Sequence, residues 1–294
     1  RRRHTRFRNV TGVQTCALPI CKRDGVDFVP INKEESDTVV HDVTGAPFSV
    51  ANIETKELKK TPPPPFTTST LQQEAARKLG FSVRQTMVVA QQLYEGISLG
   101  RGEGTHGLIT YMRTDSVNLS EKALGDALST VQKLYGREYI LSAPRTYKTK
   151  AKGAQEAHEA IRPTELSRTP DSLEGVLDDQ QLKLYTLIWN RTIATQMAAA
   201  EIKRVGADIT VLGGGHAYGF RATGQTILFD GFLRVYFEGK DDDQIERDRA
   251  QGEADGEKFL PELSVGEALD AEQILPEQHF TKPPARYTEA SLEI

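Results

Sequence analysis

The chain has 294 residues, of which 38% are hydrophobic and 27% charged, a composition typical of a soluble globular protein rather than a disordered one. Its apolar runs fall well short of the roughly 20 residues needed to cross a bilayer, which argues against a membrane-spanning helix. Both cysteines lie within the first 21 residues, so the rest has no disulfide framework and no thiolate metal site, as expected in a reducing cytoplasm.

Residues 1–21 are interpreted as a non-native artefact. Segments 1–6 and 10–20 resemble the conceptual translation of a sequencing adapter, with 7–9 covering its variable index. These residues include five arginines and no acidic residue, so the net charge of −4 becomes −9 without them. The remaining length, about 270 residues, is sufficient for two domains.

The segment before the first predicted helix reads as β structure. Short alternating runs at 26–29 and 38–43, separated by turn residues, predict strands. Four consecutive prolines within 61–66 predict a stiff, extended connector, because such a run cannot be helical. We place a domain boundary there.

A helical block follows the prolines. Hydroxyl residues at 67–70 and Gly80 predict the two ends of a helix over 71–79. A second helix is predicted over 82–96, forming a helical hairpin with the first, with its apolar face at Val83, Met87, Ala90 and Tyr94. Two further amphipathic helices are predicted, one after Ser120 (Ala123, Leu124, Leu128, Val131, Leu134) and one over 179–198 (Leu182, Leu184, Tyr185, Ile188, Trp189, Ile193).

The hydrophobic period then changes to that of strands. Strands are predicted at 207–212, 218–222, 226–229 and 233–237, with a hairpin turn at 213–215, then a pair at 260–263 and 268–274, and a truncated helix within 283–294. The organisation is therefore α+β, with a helical domain at 66–198 inserted into an antiparallel β domain formed by 22–65 and 199–283.

The segment 107–120 concentrates the chemistry. Tyr111 and Arg113 are two residues apart, so on an extended segment their side chains point the same way. A phenol can act as a covalent nucleophile, and a guanidinium fork suits a phosphate. The structural alternative is a strand end carrying a half-buried tyrosine.

A second cluster lies within 153–163. If this run is helical, Gln155, His158 and Glu159 share one face, and Pro163 ends the helix after Arg162. A solitary surface histidine is the alternative, although the neighbouring charged groups, which include Glu156, favour a site.

Charge and motif content narrow the function classes. Residues 56–168 contain 17 lysines and arginines against 11 acids, whereas 240–277 contain 4 against 13, so a polyanion would be drawn to the middle of the chain unless these charges are only solvated surface. No HExxH, paired-cysteine, calcium-loop or phosphate-loop motif is present, which leaves nucleotide-driven chemistry without support.

Four segments, taken in order, resemble the type IA topoisomerases, the family of bacterial DNA topoisomerase I. They are Pro-Phe-Thr-Thr-Ser-Thr-Leu-Gln at 65–72, Ile-Thr-Tyr-Met-Arg-Thr-Asp-Ser at 109–116, Ala-Gln-Glu-Ala-His-Glu-Ala-Ile-Arg-Pro at 154–163 and Phe-Thr-Lys-Pro-Pro-Ala-Arg at 280–286. The resemblance covers about 22–294 and only the middle of the usual enzyme. It implies a toroidal protein whose helical (winged-helix, CAP-like) domain sits on a β arch over a DNA gate.

The resemblance also implies an activity. A tyrosine of the family cleaves one DNA strand and rejoins it through a 5′-phosphotyrosine without ATP, which relaxes negative supercoils. It implies single-stranded regions of DNA as partner, a monomer, and a cytoplasmic enzyme at the nucleoid. Magnesium would be held by an N-terminal domain outside this sequence and not by these residues, so the fragment alone is expected to be inactive. The alternative function is a noncatalytic module that binds single-stranded DNA.

Residue by residue, the resemblance assigns roles at two levels. Tyr111 would be the nucleophile, with Arg113 and His158 acting on the phosphate. DNA-binding or supporting roles would fall to Thr110, Asp115, Gln155, Glu156, Glu159, Arg162, Arg286 and Tyr287, of which the last two begin the return to the main DNA-binding domain at 284–294.

Overall fold

The computed structural model describes residues 3–8, 17–100, 102, 104–147, 158–237, 260–274, 276–280 and 289. Described residues fall into two compact units. The first lies within Arg1–Lys59, Glu201–Phe229 and Glu246–Pro284, and the second within Lys60–Ala200, Asp230–Ile245 and Ala285–Ile294.

The described elements alternate between sheet and helix along the chain. In order they are β1 (Arg3–Arg8), β2 (Ala17–Arg23), β3 (Val26–Asp27), α1 (Lys33–Val43), β4 (Phe48–Lys60), α2 (Thr68–Leu79), α3 (Val83–Glu95), β5 (Ile97–Ser98), β6 (Thr105–His106), α4 (Glu121–Tyr135), α5 (Asp179–Thr195), β7 (Ala200–Gly213), β8 (His216–Phe229), β9 (Ala268–Leu269) and β10 (Glu277–Phe280). This combination confirms the predicted α+β class.

One sheet dominates the first unit. Its strand order is β10-β1-β2-β8-β7-β4-β9, with β3 paired to β2. β4 and β7 flank the helical block in sequence and are neighbours in the sheet. Two side-chain contacts join these strands, Asn52 with Asp208 and Lys59 with Glu201. The residue number rises along β4 while that of its partner falls along β7, so the two strands are antiparallel. The chain therefore leaves and re-enters the sheet at adjacent strands.

The hairpin of β7 and β8 is longer than predicted. Gly214 and Gly215 form its turn with positive φ of 58° and 84°, as the glycine run indicates. The separately predicted strands 218–222 and 226–229 are one continuous strand, because residues 223–225 keep their register with β7.

The strand prediction for 38–43 is wrong, because this run lies in α1. Asn32 caps the helix by accepting the Glu35 amide at 2.8 Å. Val39 and Val43, four residues apart, bury 99% or more of their surface, so the apolar residues fit one helix face as well as a short strand. They pack in the core cluster of the first unit with Phe48, Val50, Ile209, Val211, Tyr218, Phe220, Ala222 and Leu269.

Two further strand predictions are wrong. The run 233–237 lies in and after a short 3-10 turn, Gly231–Arg234, because Phe232, Leu233 and Tyr236 bury one face at helical spacing. Residues 260–263 form no strand, and only Ala268–Leu269 of the other segment pairs, against β4. The predicted helix at 283–294 lies outside the described residues apart from Glu289.

The helices of the second unit begin at capping residues, and α2 ends at Gly80 as predicted, whereas α5 ends at Thr195, before the predicted residue 198. Thr67, Ser82, Ser120 and Asp178 are their N-caps, and each side chain accepts a backbone amide. The buried face of α3 differs from the prediction: it comprises Thr86, Val89, Ala90 and Leu93, whereas Tyr94 is 41% exposed. Helix α5 is the central element. Leu184, Tyr185, Ile188, Trp189 and Ile193 are buried as predicted, whereas Leu182, predicted on the same face, is only partly buried.

A buried polar network ties α5 to the rest of the second unit. Arg191 donates to the Pro64 carbonyl at 2.6 Å and to the Tyr236 hydroxyl at 2.7 Å, and Tyr236 donates to Glu74 at 2.8 Å. Burial raises the pKa of Tyr236 strongly, with the negative charge of Glu74 adding to it, so the phenol stays protonated as a donor.

The packing of α1 against the β7 end generates a test. A Cβ at Gly213 would collide with the Asp42 carbonyl, whereas one at Gly219 would meet the Lys22 Cβ at an ordinary 3.4 Å. We expect Gly213→Ala to lower the free energy of unfolding by about 1–3 kcal/mol, the usual cost of overpacking. Gly219→Ala is the matched control and should cost less. Equal urea midpoints for the two variants would contradict this packing.

Candidate active site

The segment after β6 alternates strictly between solvent and core. Tyr111, Arg113 and Asp115 are exposed, whereas Met112, Thr114 and Ser116 are 4%, 8% and 1% exposed. This period of two leaves both the phenol and the guanidinium exposed to solvent, although the backbone bends at Thr110, Met112 and Arg113 and is not a regular strand. The buried residues between them attach that segment to the protein.

The start of α2 fixes the segment from one side. Thr68 donates its amide to the Thr114 carbonyl at 2.9 Å and its hydroxyl to the Met112 carbonyl at 2.8 Å. The Thr114 amide donates back to the Thr68 hydroxyl at 2.8 Å. A threonine beside the helix cap therefore satisfies the backbone on both sides of Arg113, although no regular strand forms there.

Residues 160–164 fix the segment from the other side. Thr110 donates its amide to the Arg162 carbonyl at 2.9 Å and its hydroxyl to the Ala160 carbonyl at 2.7 Å. Bridges also join Phe66 to Ile161 and Ile109 to Pro163. The described part of the predicted helix at 153–163 is therefore extended, because its backbone groups pair with Thr110 and Phe66 instead of with each other. Gln155 and Glu156 lie outside the described residues.

An ion pair between Glu159 and Arg162 stabilises residues 160–164, which contact the segment from this second side. The Glu159 carboxylate accepts the Ser120 amide at 2.7 Å and pairs with the Arg162 guanidinium at 2.7 Å. Arg162 also donates to the Pro163 carbonyl at 2.8 Å. Burial acts to raise the pKa of Glu159, but the hydrogen bonds from Ser120 and Arg162 outweigh it and lower that pKa from 4.5.

Three other predicted site residues are left available to a ligand. Arg113, Asp115 and His158 are exposed and make no hydrogen bond or ion pair with any described residue. The described residues also contain no hydrogen bond linking the side chains of Tyr111, Arg113 and His158. Arg286 and Tyr287 lie outside the described part of the chain.

Sequence reasoning missed two neighbours of the site. Thr68 carries the hydrogen bonds described above, and the ring of Tyr94 meets that of Tyr111 edge to face, with centroids 5.4 Å apart. Helical spacing assigned Tyr94 to the core, and Thr68 was interpreted only as part of a helix cap. Thr68 lies in the family-like segment 65–72, but the spacing of neither residue predicts a contact with 111–114.

Metal and membrane features are absent from the part of the chain that the structure describes. No group of three or more His, Cys, Asp or Glu side chains is placed to hold a metal ion there. Within the same residues, no helix is long and apolar enough to pass through a membrane.

An exposed phenol and an exposed guanidinium on one side of a doubly supported segment suit covalent chemistry on an anionic group. A family model described as "DNA topoisomerase" matches residues 26–292. The chain therefore belongs to the DNA topoisomerase family of the bacterial, type IA class.

Individual relatives agree with that assignment. The chain is 46% identical to DNA topoisomerase 1 of Xylella fastidiosa, covering 95% of this chain and 34% of the relative. It is 48% identical to the Rickettsia felis protein of the same name, covering 90% and 32%. The structure of full-length topoisomerase I from Thermotoga maritima matches with a TM-score of 0.74 and 32% identity, over 99% of this chain and 43% of that one. The chain thus spans about a third of the length of these curated relatives.

Glu159 gives the site a pH-dependent test. We expect Glu159→Gln to lower the free energy of unfolding by about 1 kcal/mol near neutral pH, because a charge-assisted hydrogen bond and a partly exposed ion pair are lost. The folded-state pKa is lowered, so the wild-type advantage is complete above 4.5 and disappears as the pH falls through that lowered value. Urea titrations at several pH values measure the difference.

Glu165→Gln is the matched control. Glu165 pairs with Arg168 at the same spacing and 2.9 Å, but its side chain is 52% exposed. We expect little change in this variant at any pH. A Glu159→Gln penalty that persists unchanged below pH 4 would contradict a role for the ionised carboxylate.

Proposed function

We propose that this chain is the strand-cleaving part of a type IA DNA topoisomerase and that Tyr111 is its nucleophile. The phenol oxygen attacks a backbone phosphorus of single-stranded DNA, and the bond from phosphorus to the 3′ oxygen breaks. The phenol proton is lost, the 3′ oxygen leaves as a hydroxyl, and the 5′ phosphate remains on Tyr111. One phosphodiester replaces another, so resealing by the reverse attack needs no ATP.

The observation that carries the proposal is the alternation over 111–116. It exposes Tyr111 while burying Met112 and Thr114, whose backbones are hydrogen-bonded to Thr68. A nucleophile on a fixed backbone needs less ordering before it reacts, and positioning contributes a large share of the rate in transfers of this kind. The family membership of the chain supports the same assignment.

Arg113 and His158 are proposed to act on the phosphate. Charge spreads over the phosphate oxygens in the transition state, and preorganised donors stabilise it. Arg113 lies on the same side of the segment as Tyr111, and its guanidinium makes no ion pair with the described residues. We assign Arg113 to neutralising that charge and His158 to hydrogen-bonding the phosphate or an adjacent group.

The remaining predicted residues are proposed to support or bind. Thr110, Glu159 and Arg162 hold the two segments together through the hydrogen bonds given above. Asp115 is exposed and is assigned to orienting Arg113 or the DNA. The same supporting role is proposed for Gln155 and Glu156, and Arg286 and Tyr287 are proposed to contact DNA.

The proton acceptor and the magnesium ion are proposed to come from elsewhere in the enzyme. A free phenol has a pKa of about 10 and needs a base to react at neutral pH. The Tyr111 hydroxyl has no hydrogen-bond partner among the described residues, and these residues offer no set of metal ligands. No step assigned to this chain therefore passes through the metal.

Each of the two compact units is assigned to one domain of the enzyme. We propose that the second unit is the helical domain that carries the nucleophile and that the sheet of the first unit belongs to the β arch. Connection through the adjacent strands β4 and β7 supports an inserted domain. The substrate is proposed to be a single-stranded region of negatively supercoiled DNA, acted on by a monomer in the bacterial cytoplasm at the nucleoid.

Trapping the covalent adduct tests the nucleophile. The assay uses a full-length enzyme in which residues 26–292 replace the matched segment of the Xylella fastidiosa relative, quenched with denaturant on a labelled single-stranded oligonucleotide. We expect Tyr111→Phe to abolish the adduct. Tyr94→Phe, which removes a hydroxyl from the neighbouring ring, should retain it. An adduct in the Tyr111→Phe enzyme would refute the assignment and favour a noncatalytic DNA-binding module.

A second experiment tests whether residues 22–294 need the rest of the enzyme for activity. Residues 22–294 alone should not relax supercoiled plasmid in the presence of magnesium, because the base and metal site are proposed to lie outside them. The full-length chimaeric enzyme is the positive control. Efficient relaxation by the isolated segment would overturn this part of the proposal.

A further inference from the structure

Tyr94 is an aromatic residue beside the proposed nucleophile to which the reaction above assigns no role. Its ring meets that of Tyr111 with centroids 5.4 Å apart and planes at 66°, the edge-to-face arrangement that aromatic pairs favour. Tyr94 is 41% exposed and Tyr111 49% exposed, so the pair lies at the surface and not in the core. The contact therefore involves a side chain, Tyr111, that the core does not enclose.

The backbone around Tyr94 is fixed relative to the segment that leads to Tyr111. The Leu108 amide donates to the Leu93 carbonyl at 2.7 Å, which joins the end of α3 to that segment. At Gly107, an added Cβ would lie 2.6 Å from the Tyr94 carbonyl oxygen, so glycine permits the close approach. The backbone that carries Tyr94 and the backbone that leads to Tyr111 are therefore held together within a few residues of both rings.

The ring of Tyr94, and not its hydroxyl, makes the contact. No described residue forms a hydrogen bond with the Tyr94 hydroxyl. If the Tyr94 ring were removed, the Tyr111 side chain would rotate more freely. We propose that Tyr94 is a positioning residue for strand cleavage: its ring restricts the Tyr111 side chain so that the phenol oxygen is held ready for the phosphorus. This inference rests on the proposed function of Tyr111.

Single-turnover kinetics of adduct formation test the inference, in the same full-length chimaeric enzyme and with oligonucleotide concentration varied to saturation. Tyr94→Ala should lower the rate at saturation roughly two- to tenfold, the range expected from an aromatic pair, and leave the half-saturating concentration unchanged. Tyr94→Phe should restore the wild-type rate because it keeps the ring.

Two further variants control for the fold. Tyr135 and Tyr139 form another aromatic pair of the second unit, with centroids 6.2 Å apart. Tyr135 is partly buried, and Tyr135→Ala should leave the rate unchanged, which excludes a general effect of losing an aromatic ring from this unit. Tyr94→Leu keeps apolar bulk at the half-exposed position and should also slow the reaction, so the test survives if the alanine variant does not fold.

Three results would overturn the positioning role. The first is weaker DNA binding with an unchanged saturating rate, which would make Tyr94 a stacking platform for a base. The second is a Tyr94→Phe enzyme as slow as Tyr94→Ala, and the third is wild-type rates in both the alanine and leucine variants. If Tyr111→Phe still forms an adduct, the proposed function itself fails. Loss of that adduct together with any one of the three results above refutes only this inference.

Discussion

The hydrogen bonds that Thr68 and Thr110 make to backbone groups are the constraint on which the candidate site depends. They pair the segment 110–114 with α2 on one side and with residues 160–162 on the other, where no regular strand does so. With the backbone held at these points, alternate side chains over 111–116 face the solvent and the core. The exposed position of Tyr111 and Arg113 follows from that alternation, and the ion pair of Glu159 with Arg162 keeps the second support in place.

Local signals in the sequence were sufficient for most of the helical unit. Capping hydroxyls and a terminal glycine defined α2, and the spacing of large apolar residues defined α5. The failures share a physical cause. At 38–43 and 233–237 the apolar pattern fits strand and helix equally, and the choice was made by tertiary burial against residues distant in sequence. The rotated face of α3 has the same origin, since apolar side chains cover more than one side of that helix.

The sequence likewise predicted some residues of the candidate site and missed others. Spacing alone was enough to put Tyr111 and Arg113 on one side of the chain, and the motif order supplied the family. Spacing could not reveal Thr68 or Tyr94, because their contacts with 111–114 join residues on different elements. Spacing also left open a helix through His158 and Glu159, but at 160–162 the backbone pairs with Thr110 and Phe66 and is extended. Reactive residues can be recognised in the sequence from their chemistry, whereas the residues that hold them in place can be identified only from the three-dimensional structure.

Mass spectrometry of the trapped complex tests the central claim most directly, because it locates the bond between protein and DNA. Trypsin cleavage after Arg84, Arg101 and Arg113 puts Tyr94 and Tyr111 on different peptides. The account predicts a nucleotide joined through its 5′ phosphate to the peptide 102–113, at Tyr111. A nucleotide on the peptide 85–101, on any other residue, or linked through a 3′ phosphate would contradict it.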